Sequence, residues 1–358
     1  MTFIETLRDY ENLRLIYSQI HPTLPLIIWN YSVECQYGGI YWDEVTLQCR
    51  ALVTDSDGVI ISRGFSKFFN MEEEKHEATQ NFEIFEKLDG QYISAFWYNG
   101  EMVVNSKGSF TSPYAIEAKR ILEEKHQRFI DYMNDSPVNK DYSYIFELIG
   151  FEQIVVAYPE PDLIVTGVFR HCYYEPLWNY WEDISVGFEG EQFINSLGLK
   201  MVQKFNGLDY KSIKQLNWEN SEGFVVRFSN GQRCKIKFEN YIELHRIMTN
   251  QTTGQIWRAL ANGEPISSYL EDTPDEFYDK IREVEKEFKE RFDHIEEISK
   301  IYFDYFKPLL DHDRRLFIDK VNLLLINPYR SVVKSLVDSK FHDEIIWRSL
   351  KPKRSRKI

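Results

Sequence analysis

The chain has 358 residues, 43% of them hydrophobic, 28% charged and 15% aromatic, a make-up that fits a folded protein of about two domains and excludes a disordered one. No apolar run reaches the roughly 18 residues of a membrane span, and the acidic opening stretch does not read as a signal peptide. With 43 Lys+Arg against 56 Asp+Glu the net charge is −13, which argues against a uniformly basic nucleic-acid-coating surface while allowing a local basic cleft.

The first 20 residues read as an amphipathic helix. From about Leu24 to Lys237, short runs rich in Val, Ile, Tyr and Phe alternate with turn residues, as strands do. Leu47–Thr54 and Val59–Arg63 flank Asp57-Gly58, and Gln91–Tyr98 and Glu101–Asn105 flank Asn99-Gly100. Both read as hairpins closed by residues that tolerate positive φ. Tyr142–Gly150, Leu163–Arg170, Gly223–Phe228 and Arg233–Phe238 are further predicted strands, with helices predicted over Pro113–Asp131 and Gly190–Leu197. The mixture predicts an α+β domain with antiparallel sheets.

After about Tyr241 the period becomes helical. Beyond Thr273-Pro274, apolar residues from Phe277 to Tyr302 recur at three- and four-residue steps, which predicts one long helix. Pro308 is expected to end it, and two more helices are expected, separated near Asn327-Pro328. A boundary near residue 245 would divide the chain into domains 1–245 and 246–358, the second all-helical. The basic tail KPKRSRKI reads as a phosphate contact or a frayed terminus. Cys35, Cys49, Cys172 and Cys234 form no CxxC pair, and the eight histidines show no zinc-ligand spacing. Reduced thiols and a cytoplasmic setting are expected.

Four short patterns carry chemistry. Lys87-Leu88-Asp89-Gly90 sits between the strand-like Phe82–Phe85 and Gln91–Tyr98. KxDG arises by chance in roughly one chain of this length in ten, so alone it also fits an exposed lysine before a turn. Its chemical reading is a lysine nucleophile on an inter-strand loop, which attacks only as the neutral amine and so needs nearby cations or desolvation. In Arg233–Phe238 the period of two sets Lys235 and Lys237 on one face and Cys234, Ile236 and Phe238 on the other. Paired lysines suit a solvated face or a polyanion such as a nucleotide's phosphates. Glu222 opens the preceding strand, and Asn230-Gly231 turns between the two, so this carboxylate should lie near those lysines, as metal contact, lysine partner or plain surface residue. Glu147 interrupts the apolar strand Tyr144–Gly150. A buried carboxylate needs a partner, either an ion pair or a ribose hydroxyl.

In this order, KxDG, the Phe146-Glu147 strand, Glu222-Gly223-Phe224-Val225-Val226 and Lys235-Ile236-Lys237 resemble the covalent nucleotidyltransferases. Cys49-Arg50, Ser66–Asn70, Ser106–Ser109, Ile154–Tyr158, Tyr241 and His245 narrow the resemblance to the phage RNA ligase 1 family over about residues 25–245. That family implies an antiparallel-sheet, ATP-grasp-like ligase domain and an ATP-dependent RNA ligase acting through lysyl–AMP. Lys87 matches its nucleophile, Lys235 and Lys237 its phosphate contacts, and Arg50 and Lys67 its nucleotide contacts. Glu147 matches its ribose-binding carboxylate, Glu222 its acid near the lysine and the divalent metal, and Tyr241 a required tyrosine. Trp29 falls near a tyrosine that lines the nucleotide site. The resemblance further implies ATP with Mg²⁺ or Mn²⁺, RNA carrying 5′-phosphate and 3′-hydroxyl ends (nicked tRNA among the candidates), no membrane partner and a monomer.

The chain departs from the family at Ala51, where glycine often follows the arginine; this matters if the position needs positive φ. The family's acidic metal contact in the C-terminal domain has no aligned counterpart, Glu264 being nearby only. DNA ligase, capping-type enzyme and non-catalytic RNA-binding protein stay open as alternatives. The helical C-terminal part, without the five short strands of an OB-fold, favours the RNA ligase.

Overall fold

The computed structural model describes residues 2–38, 42–73, 81–135, 141–152, 155–171, 181–185, 187–210, 212–249, 253–269, 278–337 and 342–352. Thr273-Pro274, Cys172 and residues 353–358 of the basic tail lie outside them.

A capping box opens α1 (Phe3–Asn12): the Glu5 amide donates to Thr2 Oγ1, and the Thr2 amide donates to the Glu5 carboxylate at 2.6 Å. The helix is shorter than its sequence pattern suggests. Arg14 takes φ 59°, and Ile16–Ile20 leaves as β1 to pair with β2 (Leu26–Tyr31). The apolar residues beyond Asn12 thus gain a strand partner that local periodicity does not reveal. Two short helices, α2 (Val33–Gly38) and α3 (Glu44–Gln48, capped by Asp43), lead to β3 (Arg50–Asp55) and β4 (Ile60–Ser62). These strands form the expected hairpin, with Gly58 at φ 88° in its turn. The first sheet has the antiparallel order β1-β2-β3-β4.

β5 (Phe82–Lys87) is followed by the second hairpin, β6 (Gln91–Tyr98) and β7 (Glu101–Ser106), with Asn99 and Gly100 at φ 47° and 94°. Ser112 caps α4 (Pro113–Lys125), and α5 (Gln127–Asp135) follows, so one predicted helix is two. β8 (Tyr142–Ile149), β9 (Asp162–His171), β10 (Trp181–Asp183), α6 (Gly187–Ser196), β11 (Lys200–Met201) and β12 (Lys204–Phe205) come next. β13 (Gly223–Phe228), β14 (Arg233–Lys237) and α7 (Glu239–Thr249) complete the region. The second sheet runs β10-β9-β8-β6-β7, with β11 parallel to β9, and the third runs β12-β5-β13-β14. The chain therefore crosses from the third sheet to the second within Leu88–Gly90, beside the candidate nucleophile.

The chain forms two compact units, Met1–Met248 and Thr249–Ile358. The described part of the second unit holds helices and no strand: α8 (Thr253–Asn262), α9 (Tyr278–His312), α10 (Arg314–Leu324), α11 (Tyr329–Val337) and α12 (Asp343–Leu350), besides one short 3₁₀ turn. Pro308 lies inside α9 and does not end it. Proline removes one amide bond, but Leu309 and Leu310 in the following turn pack onto the core of Phe306, Phe317, Val321, Leu325 and Val333. Three described helices follow α9, one more than expected, with Asn327-Pro328 between α10 and α11. The whole is an α+β architecture with antiparallel sheets followed by a helical region.

Trp29 is fully buried in a cluster with Leu7, Ile16, Ile27 and Leu52, its indole N–H donating to Thr54 Oγ1 at 3.0 Å. Trp29→Ala should cost about 3–5 kcal/mol of stability, read as an earlier urea midpoint.

Candidate active site

The site is built on cross-strand register in the third sheet. Gly223 pairs with Lys87 on one side and Lys237 on the other, and Val225 pairs with Phe85 and Lys235. Alternation then sets Lys87, Lys235 and Lys237 on one face, while Phe224, Val226, Cys234 and Ile236 enter the core on the other. Lys87 is the last residue of β5 rather than part of the loop that follows, so a paired strand holds its backbone. Gly223 permits the close approach of these strands. Its φ is 151°, and a Cβ there would lie 1.9 Å from the Ile236 carbonyl oxygen.

Glu222 is 4% exposed and binds two ammonium groups, Lys87 Nζ at 2.7 Å and Lys237 Nζ at 3.3 Å, on different carboxylate oxygens. Burial pushes its pKa up, but Lys87, Lys237 and Lys235 outweigh that and hold it below the usual carboxylate value. Glu147 has the opposite balance. Burial pushes its carboxyl up to about 7, against the opposing pull of Lys87 and Arg50 and with the help of Glu222 and Asp89. It stands opposite Tyr92 across β6 and β8, and Gly90 leaves room for it, since a Cβ there would meet Glu147 Cγ at 2.8 Å.

Asp89 ties down the crossing segment. Its carboxylate accepts from the Val156 amide at 2.9 Å and the Tyr241 hydroxyl at 3.0 Å, and its own amide donates to the Tyr158 hydroxyl at 3.0 Å. Tyr241, 5.5 Å from Lys237 Nζ at its ring centroid, thus touches both the crossing and the lysine strand. The aspartate of KxDG and the tyrosine of Ile154–Tyr158 were visible as pattern, but their mutual bond was not.

Arg50 lies over the Tyr92 and Phe68 rings at 5.1 and 5.6 Å, and its buried Nη1 has no hydrogen-bond partner among the described residues. A bulge aims it: Asn30 pairs with Arg50 and Trp29 with Leu52, while the intervening Ala51 takes φ 57° and donates its amide to Asn30 Oδ1 at 2.9 Å. The left-handed conformation costs a non-glycine residue roughly 1–2 kcal/mol, so this position does need positive φ and the alanine is strained. Lys67 is 9% exposed, with Nζ 5.3–5.6 Å from the Tyr31, Trp42 and Phe69 rings. Its segment runs along β14, the Lys235 amide donating to Phe69 O and the Met71 amide to Lys235 O. Lys107, to which the sequence reading assigned no role, shares the Tyr31 ring at 4.4 Å.

The structure therefore connects Lys87, Glu222, Lys235, Lys237, Glu147, Arg50 and Tyr241, and joins Lys67 to them through the β14 edge. It does not bring in Trp29. That ring faces the core of the first sheet because alternation along β2 points it there, so its expected nucleotide contact is not formed by this geometry.

Residues 48–242 match the family described as RNA ligase. The chain belongs to that family. A curated relative from Autographa californica nuclear polyhedrosis virus, described as a bifunctional polynucleotide kinase/RNA ligase, is 25% identical over 62% of this chain and 34% of its own length. An RNA ligase of Rhodothermus phage RM378 is 24% identical over 63% of this chain and 65% of its own. The chain thus spans about a third of one relative and just under two thirds of the other. Among solved structures, one from Aquifex aeolicus described as an ATP-dependent DNA ligase covers 95% of this chain and 89% of its own, at 17% identity and a TM-score of 0.46.

Two outcomes follow from the geometry. Gly223→Ala should destabilise the protein by roughly 3 kcal/mol or more, read in urea melts, because strand pairing cannot absorb the methyl group. Glu147 binds a proton in the folded protein up to pH about 7 but loses it near 4.5 when unfolded. Over that interval the folded state holds more protons, so the wild type loses stability as pH rises. Glu147→Gln should remove this slope, its stability relative to wild type growing between pH 4.5 and about 7 and levelling off above.

Proposed function

We propose that the chain is an ATP-dependent RNA ligase that joins a 5′-phosphate end to a 3′-hydroxyl end in three transfers. In the first, the neutral amine of Lys87 attacks the α-phosphorus of ATP. The bond to the bridging oxygen breaks, pyrophosphate leaves, and the proton shed by the amine passes to Glu222 or water. In the second, an RNA 5′-phosphate oxygen attacks the phosphorus of lysyl–AMP; the P–N bond breaks and Lys87 takes back a proton. In the third, a 3′-hydroxyl oxygen attacks the activated 5′-phosphorus, the P–O bond to the adenylate breaks, AMP leaves and the hydroxyl proton passes to water.

The observation that carries this reading is the buried Glu222 carboxylate held between Lys87 and Lys237, in a chain of the RNA ligase family. Glu222 orients the Lys87 amine and offsets its charge until a nucleotide arrives. Lys235 and Lys237 stabilise the charge that builds on the phosphates as pyrophosphate departs. Arg50 and Lys67 bind nucleotide phosphates, and the Glu147 carboxyl hydrogen-bonds a ribose hydroxyl. Tyr241 acts through Asp89, as a positioning residue for the segment after Lys87.

Mg²⁺ or Mn²⁺ would shield the clustered phosphate oxygens. Both Glu222 oxygens already engage lysines, and among the described residues no three His, Cys, Asp or Glu side chains gather to hold an ion. The ion would therefore travel mainly on the nucleotide, with Glu222 the carboxylate this reading assigns to it. The helical second unit is proposed to select the RNA, a nicked tRNA among its candidates. No helix among the described residues is long and apolar enough to cross a membrane. The proposal also takes the protein to be a cytoplasmic monomer.

Purified protein incubated with ATP should carry a covalent AMP on Lys87 by peptide mass spectrometry. Lys87→Ala should abolish that adduct while sparing part of the sealing of pre-adenylated RNA. Labelling by GTP alone, or an adduct that survives Lys87→Ala, would overturn the reading.

A further inference from the structure

Resting on the ligase reading, we infer that Arg233 and Asp183 are a positioning pair that sets the separation of the two walls of the nucleotide cleft. One wall is the face of the third sheet that carries Lys87, Lys235 and Lys237. The other belongs to the second sheet, where Glu147 and Tyr92 stand side by side on β8 and β6. At one end the walls are joined covalently, through Leu88–Gly90.

Arg233 pairs with Arg227 in the sheet register, one repeat of the pleat beyond the Val225–Lys235 pair. Its side chain therefore leaves the same face as the two lysines. Asp183 lies on β10, the edge strand of the second sheet, opposite Phe169 of β9. Arg233 Nη2 donates to Asp183 Oδ2, and the two side chains are only 14% and 10% exposed. The guanidinium also stands 4.4 Å from the Phe65 ring centroid. Phe65 packs edge-on to Phe169 at 5.1 Å and closely against Gly167, where a Cβ would lie 2.6 Å from the ring. Arg233 Nη1 also donates to the Gly231 carbonyl at 3.1 Å, while Asp183 and Phe65 are both seated against β9, so the ion pair ties β14 to the second sheet at the end away from the covalent crossing.

A pair this buried differs from a solvated surface bridge. Removing one member leaves the other charged and unmatched, and a planar guanidinium can meet a carboxylate at its edge while its face lies on a ring. Because Asp183 and Phe65 already occupy Arg233, the phosphates fall to Lys235 rather than to it. If the pair is loosened, ATP still binds Arg50 and Glu147, but the lysine wall drifts from in-line alignment. Misplacement of this kind lowers the rate of the chemical step more than it weakens ground-state binding.

The test compares single-turnover lysyl–AMP formation across ATP concentrations in wild type, Asp183→Asn, Arg233→Met and the double variant, with folding checked by circular dichroism. Each variant should lose about tenfold or more in maximal rate, keep its ATP half-saturation within about threefold, and the double should be no slower than the singles within about threefold, since the residues act as one unit. Wild-type rates in the singles would overturn the inference. So would additive losses with Arg233→Met far slower than Asp183→Asn, the mark of an arginine that touches substrate. Should Arg233→Met fail to fold, Arg233→Lys keeps the charge but not the planar group that meets Asp183, the Gly231 carbonyl and Phe65 together, and a wild-type rate for it would equally count against the pair. Absence of any adduct in wild type would instead sink the ligase reading itself.

Discussion

One buried carboxylate between two lysines is the constraint on which the rest of the site depends. Glu222 neutralises one of the two ammonium groups it contacts, and Lys235 adds a further positive charge nearby. Three ammonium groups therefore gather around one buried carboxylate. An arriving polyanion brings further negative charge to that face. The same electrostatics that hold the unliganded site together thus favour phosphate, and they do so in a chain whose net charge is −13. A local field follows where charges sit, not their sum.

Backbone geometry makes this cluster possible. Gly223 sits between Lys87 and Lys237, and its missing side chain lets three strands converge on one carboxylate. Immediately afterwards the chain leaves the sheet, and Asp89 anchors the departure to Tyr158, Val156 and Tyr241. The lysine is therefore fixed from both sides, by pairing before it and by hydrogen bonds after it. Glu147, on the facing sheet, feels the same lysine yet keeps its proton to near neutrality because burial outweighs attraction. Two carboxylates a short way apart are thus set to different protonation states by their surroundings.

The second unit poses a different problem. Its helices enclose an aromatic and aliphatic core around Phe306 and Phe317, and Pro308 is carried within α9 because the turn beyond it is packed into that core. Tertiary burial there offsets a local defect that would end an isolated helix.

Local sequence was enough for the three glycine-containing hairpins, the period-two placement of Lys235 and Lys237, the order of the lysine and carboxylate motifs, and the helical character of the C-terminal part. Each depends on chemistry or geometry within a few residues: positive φ at Asp-Gly and Asn-Gly, alternation along a strand, three- and four-residue steps along a helix. Tertiary structure alone decided that Trp29 faces the core, that Ala51 is strained in a bulge, that α1 gives way to a strand, and that Arg233 reaches Asp183. These outcomes depend on register and on partners far along the chain. A shift of one residue in strand pairing reverses which side chains face the cleft, and no local pattern contains that information.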